Sequence, residues 1–202
     1  AGRSARHVPR RVKRLLFRPV LGQFGGRLHT IGVGASALEV DVAQRWMEMG
    51  VDVLQGYGAT EMGPVITFTR PGRNVLGTVG EPIPGVDVRI AADGEILARG
   101  PGRFAGYWQN PEATAETLVD GWLHSGDAGY LDADGHLIVI DRAKDVMTLH
   151  DGTKFSPQFL ENKLKWSPYV REAVVFGGDW PFVTAMVTID FANAGKWAEK
   201  RQ

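Results

Sequence analysis

Residues 54–63 read LQGYGATEMG and gather a phenol (Tyr57), a hydroxyl (Thr60) and a carboxylate (Glu61) into one short stretch, with Gly56 and Gly58 on either side of the tyrosine. The apolar run Val51-Asp52-Val53-Leu54 comes just before it. A polar turn leaving a buried strand is where open α/β sheets bind ligands, outside the carboxyl ends of the strands. Glycine there lets the backbone come close to a partner, because it has no Cβ. The plainer alternative is a strand-exit turn with a solvent-exposed Thr-Glu pair.

Other reactive groupings carry less. His124, Ser125 and Asp127 lie together, but no G-x-S-x-G elbow presents the serine. His7, His29, His124, His136 and His150 show no metal-ligand spacing. Asp132-Ala-Asp134-Gly135 lacks the glutamate that closes a calcium loop. Gly32-Val-Gly34-Ala35-Ser36 lacks the third glycine of a dinucleotide fingerprint, and no G-x-x-x-x-G-K-[ST] phosphate loop is present. These generic signatures describe an α/β protein without naming its activity.

The elements that would position these residues follow from periodicity. Residues 27–34 (RLHTIGVG) suit a buried strand. Ser36-x-x-Glu39 has the form of a capping box opening a helix. Leu38, Val42, Trp46 and Met49 recur on one helical face, and Gly50 suits the C-terminal cap. With a second strand over 51–55, this is a βαβ unit in a parallel sheet. Beyond residue 68 glycine and proline become dense. Short β segments are predicted at 75–79, 86–91, 95–99 and 136–140, with hairpin turns at 91–94 and 132–135. Asn110-Pro111 opens a short helix. From 141 a third region reads as helix 157–166 followed by strands 172–177 and 182–189, the start of an α+β unit.

The 202 residues are 44% hydrophobic with zero net charge, so no overall field favours nucleic acid or membrane. The basic residues are uneven: Arg3, Arg6, Arg10, Arg11, Lys13, Arg14, Arg18 and Arg27 precede the first acid, Glu39. One reading is an arm for phosphate or lipid headgroups, giving peripheral membrane contact; the other is a solvated basic helix. There is no cysteine, no apolar run of membrane-spanning length and no apolar signal-peptide core, so a cytoplasmic location is the default expectation.

Four pieces in order change the picture: VGAS (33–36), GYGATE (56–61), GWLHSGDAGYLDADGHL (121–137) and DRAKD (141–145), with GEILARGPGRFAGYWQNPEAT (94–114) between the second and third. Over about residues 25–178 the chain resembles the adenylate-forming (AMP-binding) superfamily, and more closely its fatty-acyl and related acyl-CoA synthetases. The resemblance implies the C-terminal part of a large α/β domain, with a parallel-sheet portion (1–68) and a small antiparallel β-barrel (69–141). The start of an α+β C-terminal domain (142–202) would follow. It also implies the chemistry: a carboxylic acid attacks the α-phosphate of ATP, an acyl-adenylate forms, and the CoA thiol then displaces AMP.

The resemblance assigns roles by position. Gly34, Ala35 and Ser36 line the adenine, although Ser36 also suits a helix cap. Tyr57 offers its face to the purine, Gly58 lets the backbone approach, Thr60 donates to a phosphate oxygen, and Glu61 ligates magnesium. Asp127 accepts from the ribose hydroxyls, and Arg142 reaches the ribose or phosphates, unless it is simply a surface ion pair with Asp141 or Asp145. Lys144 matches the hinge about which the small domain turns. Gly152 resembles the glycine beside the pantetheine tunnel, in a segment of unusual spacing. Ser125 stands where many members have threonine.

The family's phosphate loop and its adenylation lysine are not matched; Lys196 lacks the expected context. Both ends of the sequence suggest a piece of a longer enzyme, inactive alone. The rivals are a peptide-synthetase-like or luciferase-like adenylating enzyme, or a non-catalytic nucleotide-binding piece.

Overall fold

The computed structural model describes residues 8–35 and 38–200. The chain divides into two units: one runs to Ser125 and includes Tyr130–Val139, and the other holds Gly126–Gly129 and everything from Ile140.

The first unit opens with two short helices, α1 (Arg10–Leu16) and α2 (Arg18–Gly22), the second started by Pro19. Strand β1 (Thr30–Val33), helix α3 (Val40–Glu48) and strand β2 (Asp52–Tyr57) follow. β1 and β2 pair in parallel, Thr30 with Asp52 through Val33 with Gln55, so the expected βαβ unit forms. Its helix starts late: Glu39 is the N-cap and makes no side-chain cap bond. Ser36, the expected cap, lies outside the described residues. Ala43 is buried while Val42 is exposed, which moves the buried stripe one position off the expected face. Trp46 instead meets Phe24 edge to face at 5.4 Å. Gly50 closes the helix at φ +83, the left-handed conformation glycine adopts cheaply.

β3 (Thr67–Phe68) and β4 (Glu81–Pro82) extend this sheet antiparallel. The strand expected at 75–79 is absent. Gly77 sits at φ +88, and the Thr78 hydroxyl donates to the Val75 carbonyl at 2.9 Å, closing a turn there. The edge of β2 is capped by side chains instead: Gln55 donates to Thr69 Oγ1 at 2.7 Å, and Asn74 donates to the Val53 carbonyl at 2.5 Å.

A second sheet contains β5 (Asp87–Ile90), β6 (Glu95–Arg99), β7 (Leu118–Val119), β8 (Trp122–Leu131) and β9 (Leu137–Arg142), in the order β5-β6-β8-β7 with β9 pairing β8. The expected barrel does not close: β8 takes β6, β7 and β9 as its neighbours, and the remaining edges are left unjoined. Both hairpin turns form as their residues dictate, with Gly94 at φ +95 and Gly135 at φ +84. Helix α4 (Pro111–Thr117) starts at Asn110, whose side chain accepts from Ala113 N at 3.0 Å. Met62, Ile66, Ala98 and Leu123 form one buried cluster, and Val79, Ile96 and Leu137 another.

In the second unit, β10 (Met147–Thr148) and β11 (Lys154–Phe155) form a hairpin. Helix α5 (Pro157–Lys165) is capped by Ser156, which accepts from Phe159 N at 2.9 Å. It packs on β12 (Val170–Phe176), which pairs antiparallel with β13 (Thr184–Ile189). Helix α6 (Phe191–Glu199), with Asp190 as its cap, was not foreseen from the sequence.

Candidate functional site

Parallel pairing puts the exits of β1 and β2 at one end of the strand pair. There Gly34 approaches the GYGATE turn: a Cβ on it would lie 3.7 Å from the Gly56 carbonyl oxygen. Ala35 holds φ 64, uncommon for a residue with a side chain. Tyr57 ends β2, and Thr60–Met62 form a 3-10 turn anchored by buried Met62, with Met62 N donating to the Ala59 carbonyl at 2.8 Å. Thr60 is exposed and Glu61 half-buried on that turn.

The glycines of the turn have a reason internal to the fold. A Cβ on Gly58 would stand 1.8 Å from the Pro64 carbonyl oxygen, and one on Gly56 2.6 Å from Phe68 Cδ2. The close approach at Gly58 is made by the chain's own backbone.

Glu61 has a partner that sequence reasoning missed. The Tyr107 hydroxyl donates to Glu61 Oε1 at 2.7 Å, across 46 positions of chain. Donation to Glu61, and then burial, hold the Tyr107 phenol above its ordinary pKa, so it is a proton donor at neutral pH. No spacing rule links the two residues; Tyr107 lay in the stretch 94–114 without a role. Among the described residues no group of three or more His, Asp or Glu side chains could hold a metal ion. A single carboxylate such as Glu61 still suits magnesium, which keeps its waters and leans on substrate phosphates.

His124 and Ser125 are committed structurally: His124 Nδ1 lies 2.7 Å from Glu95 Oε2, and Ser125 Oγ donates to the Ile96 carbonyl at 2.7 Å. Part of the N-terminal basic run is likewise spent inside its unit. Arg10 donates to the carbonyls of Gly50 (2.9 Å) and His29 (2.6 Å) and pairs with Asp52 at 2.8 Å, while Arg14 donates to the Leu28 carbonyl at 2.6 Å. No helix among the described residues is long and apolar enough to cross a membrane.

In the second unit, Arg142 Nη1 lies 3.1 Å from Asp127 Oδ1, and the Asp127 side chain is 18% exposed. The arginine thus forms an ion pair with Asp127. Asp141 accepts instead from Arg142 N at 2.8 Å and from the Ser156 hydroxyl. Lys144 is exposed in a 3-10 turn over Ala143–Asp145. Gly152 closes the β10–β11 hairpin at φ +86 with open space where a side chain would start.

Comparison with known proteins matches residues 5–108 to the AMP-binding enzyme family and residues 144–201 to the AMP-binding enzyme C-terminal domain. A long-chain-fatty-acid–CoA ligase of Mycobacterium bovis is 35% identical over 187 residues, covering 93% of this chain and 31% of its own length. A feruloyl-CoA synthase of an Amycolatopsis species is 39% identical over 162 residues, covering 74% and 33%. Among solved structures, the O-succinylbenzoate–CoA synthetase of Bacillus subtilis in complex with ATP and magnesium superposes with a TM-score of 0.67 at 29% identity, covering 80% of this chain and 37% of that one. The chain thus spans about a third of the length of the curated relatives it matches. The two family matches, with relatives that are CoA ligases, mean that the chain belongs to the AMP-binding enzyme family, with the adenylate-forming CoA ligases.

Proposed function

We infer that the full-length protein activates a carboxylic acid with ATP and transfers the acyl group to CoA, and that the acid is a fatty acid. The observation that carries this is the turn after β2: Tyr57, Thr60 and Glu61 at the exit of a parallel strand pair, beside Gly34 and Ala35. The fatty-acid reading is supported by the long-chain ligase relative, which matches across 93% of the chain. The feruloyl-CoA synthase match favours aryl acids as the second reading.

The chemistry needs two displacements. The acid's carboxylate oxygen attacks the α-phosphorus and pyrophosphate leaves; the CoA thiol sulfur then attacks the acyl carbonyl and AMP leaves. Thr60 is assigned a hydrogen bond to a phosphate oxygen, and the face of Tyr57 is assigned the purine. Glu61 would hold magnesium, which neutralises charge on the reacting phosphates when bound. Asp127 is assigned the ribose hydroxyls, Arg142 the ribose or phosphates, Lys144 the hinge and Gly152 the pantetheine.

The test is acid-dependent pyrophosphate release by the full-length protein with ATP and magnesium, across fatty acids of graded length and aryl acids, followed by thioester formation on adding CoA. Fatty acids should give the highest rates. Glu61→Gln should slow adenylate formation about a hundredfold while binding of ATP without metal changes little, the size expected for lost charge stabilisation at phosphate. No acid-dependent release with any acid would overturn the ligase reading.

A further inference from the structure

We propose that Tyr107 is a positioning residue for the Glu61 carboxylate, and that α4 is the mount that holds Tyr107 in place. The proposal rests on the reading of Glu61 as the magnesium ligand. The phenol-to-carboxylate bond joins residues 46 apart, so chain connectivity does not impose it.

Two sets of contacts fix the tyrosine. Its ring packs edge to face on Phe104, centroids 4.8 Å apart, and Phe104 packs on the buried cluster of Met62, Ile66, Ala98 and Leu123. Phe104 N also donates to the Glu61 carbonyl at 2.8 Å, so ring and carboxylate share one backbone frame. Tyr107 N donates to Thr114 Oγ1 at 2.9 Å, and that hydroxyl donates onward to the Asn110 carbonyl at 2.8 Å. Gly106 makes the approach feasible: a Cβ there would lie 2.8 Å from Thr114 Cγ2.

The phenol donates to Oε1, fixing one oxygen of a side chain that would otherwise sample many rotamers. Among the described residues Tyr107 is the one hydrogen-bond partner of the Glu61 side chain. A partner that orients a metal-binding carboxylate typically changes metal affinity when removed.

Mn2+ binding to the full-length protein, followed by electron paramagnetic resonance with saturating α,β-methylene-ATP, tests this directly. Tyr107→Phe should raise the Mn2+ dissociation constant roughly tenfold, within the range seen for partners that orient ligating groups. Binding of the nucleotide without metal should not change. Glu61→Gln should weaken Mn2+ at least as much, and adding Tyr107→Phe to it should cost nothing further. Thr114→Val, which removes the acceptor of Tyr107 N and leaves the ring in place, should shift affinity the same way by a smaller factor, and it becomes the deciding variant if Tyr107→Phe does not fold. Unchanged Mn2+ affinity in Tyr107→Phe (or in Thr114→Val in that case), or additive losses in the double variant, would overturn the positioning role while Glu61→Gln still weakens binding. Wild-type Mn2+ affinity in Glu61→Gln would overturn the underlying ligand assignment instead.

Discussion

In the second unit the Arg142 guanidinium donates to Asp127 at 3.1 Å, so the aspartate assigned to the ribose already holds a cation. A carboxylate has room for both, because its two oxygens offer about four acceptor sites. The pairing makes the two residues a unit whose members cannot be mutated independently.

Asp127→Ala in the full-length protein should therefore weaken ATP and AMP alike, by about tenfold or more, since the ribose is common to both and one charge-assisted bond is lost. Isothermal calorimetry with AMP is the check. Unchanged AMP affinity would mean that Asp127 serves Arg142 alone.

Lys144 is exposed in its 3-10 turn, and proline there would fix φ and disfavour a helical Ala143. With a hinge at this position, Lys144→Pro should leave adenylate formation within about an order of magnitude and lower thioester formation by two or more orders, as when positioning is lost. Lys144→Ala, which keeps the backbone free, should retain both. Single-turnover assays of each half-reaction separate these outcomes; equal losses in both steps with proline would remove the hinge assignment.

Asp132 ties the β8–β9 hairpin. Its Oδ1 accepts from Asp134 N at 2.9 Å and from His136 N at 2.8 Å, and Oδ2 lies 3.1 Å from His136 Nδ1. The backbone bond from His136 is the main reason its pKa lies below the ordinary carboxylate value, with the Asp134 bond adding to it. A depressed folded-state pKa means that the unfolded chain binds the proton more readily. The stabilisation is thus fully present above the unfolded value of about 4 and is lost as pH falls through the lower folded value. Asp132→Asn should be less stable than the parent at pH 7, and the gap should close in acid. Urea unfolding at pH 7 and at pH 3 would show it; a gap independent of pH would place the effect elsewhere.

Two glycines assigned to ligand approach separate on stability. Gly58→Ala would drive a Cβ into the Pro64 carbonyl, a backbone atom that cannot swing away, and should cost more than about 4 kcal/mol, the range of severe steric defects. Gly152→Ala meets open space and pays only for its left-handed backbone, about 1–2 kcal/mol. Thermal unfolding of the two variants checks the order.

Local chemistry was legible wherever a residue type dictates its own backbone. Asn110 and Ser156 cap their helices, Gly94 and Gly135 close their hairpins, and the alternation around α3 gave the parallel βαβ unit. What stayed hidden depends on distance through space. Val75-Leu76-Gly77-Thr78-Val79 has β-forming residues, but a hydroxyl and a left-handed glycine turn it. The family was legible through the order of its motifs, yet Tyr107, which bonds Glu61, carries no spacing signal. The same holds for Arg10 and Arg14, indistinguishable in sequence from the solvated cations around them until the carbonyls they hold are known.

Those two arginines give the parallel pair unequal ends. Where β1 and β2 begin, Arg10 spans the carbonyls of His29 and Gly50 and the Asp52 carboxylate, while Asp52 N donates to the His29 carbonyl at 2.9 Å. Slippage by one residue would have to break all of these together, so the register is locked from behind. At the other end β2 pairs with β3 and runs into the Thr60–Met62 turn, where Thr60 is exposed and Tyr107 holds the Glu61 carboxylate. The pair is pinned at its root by a helix from outside the sheet, and trimming α1 would slacken that root without touching a single residue of the turn after β2.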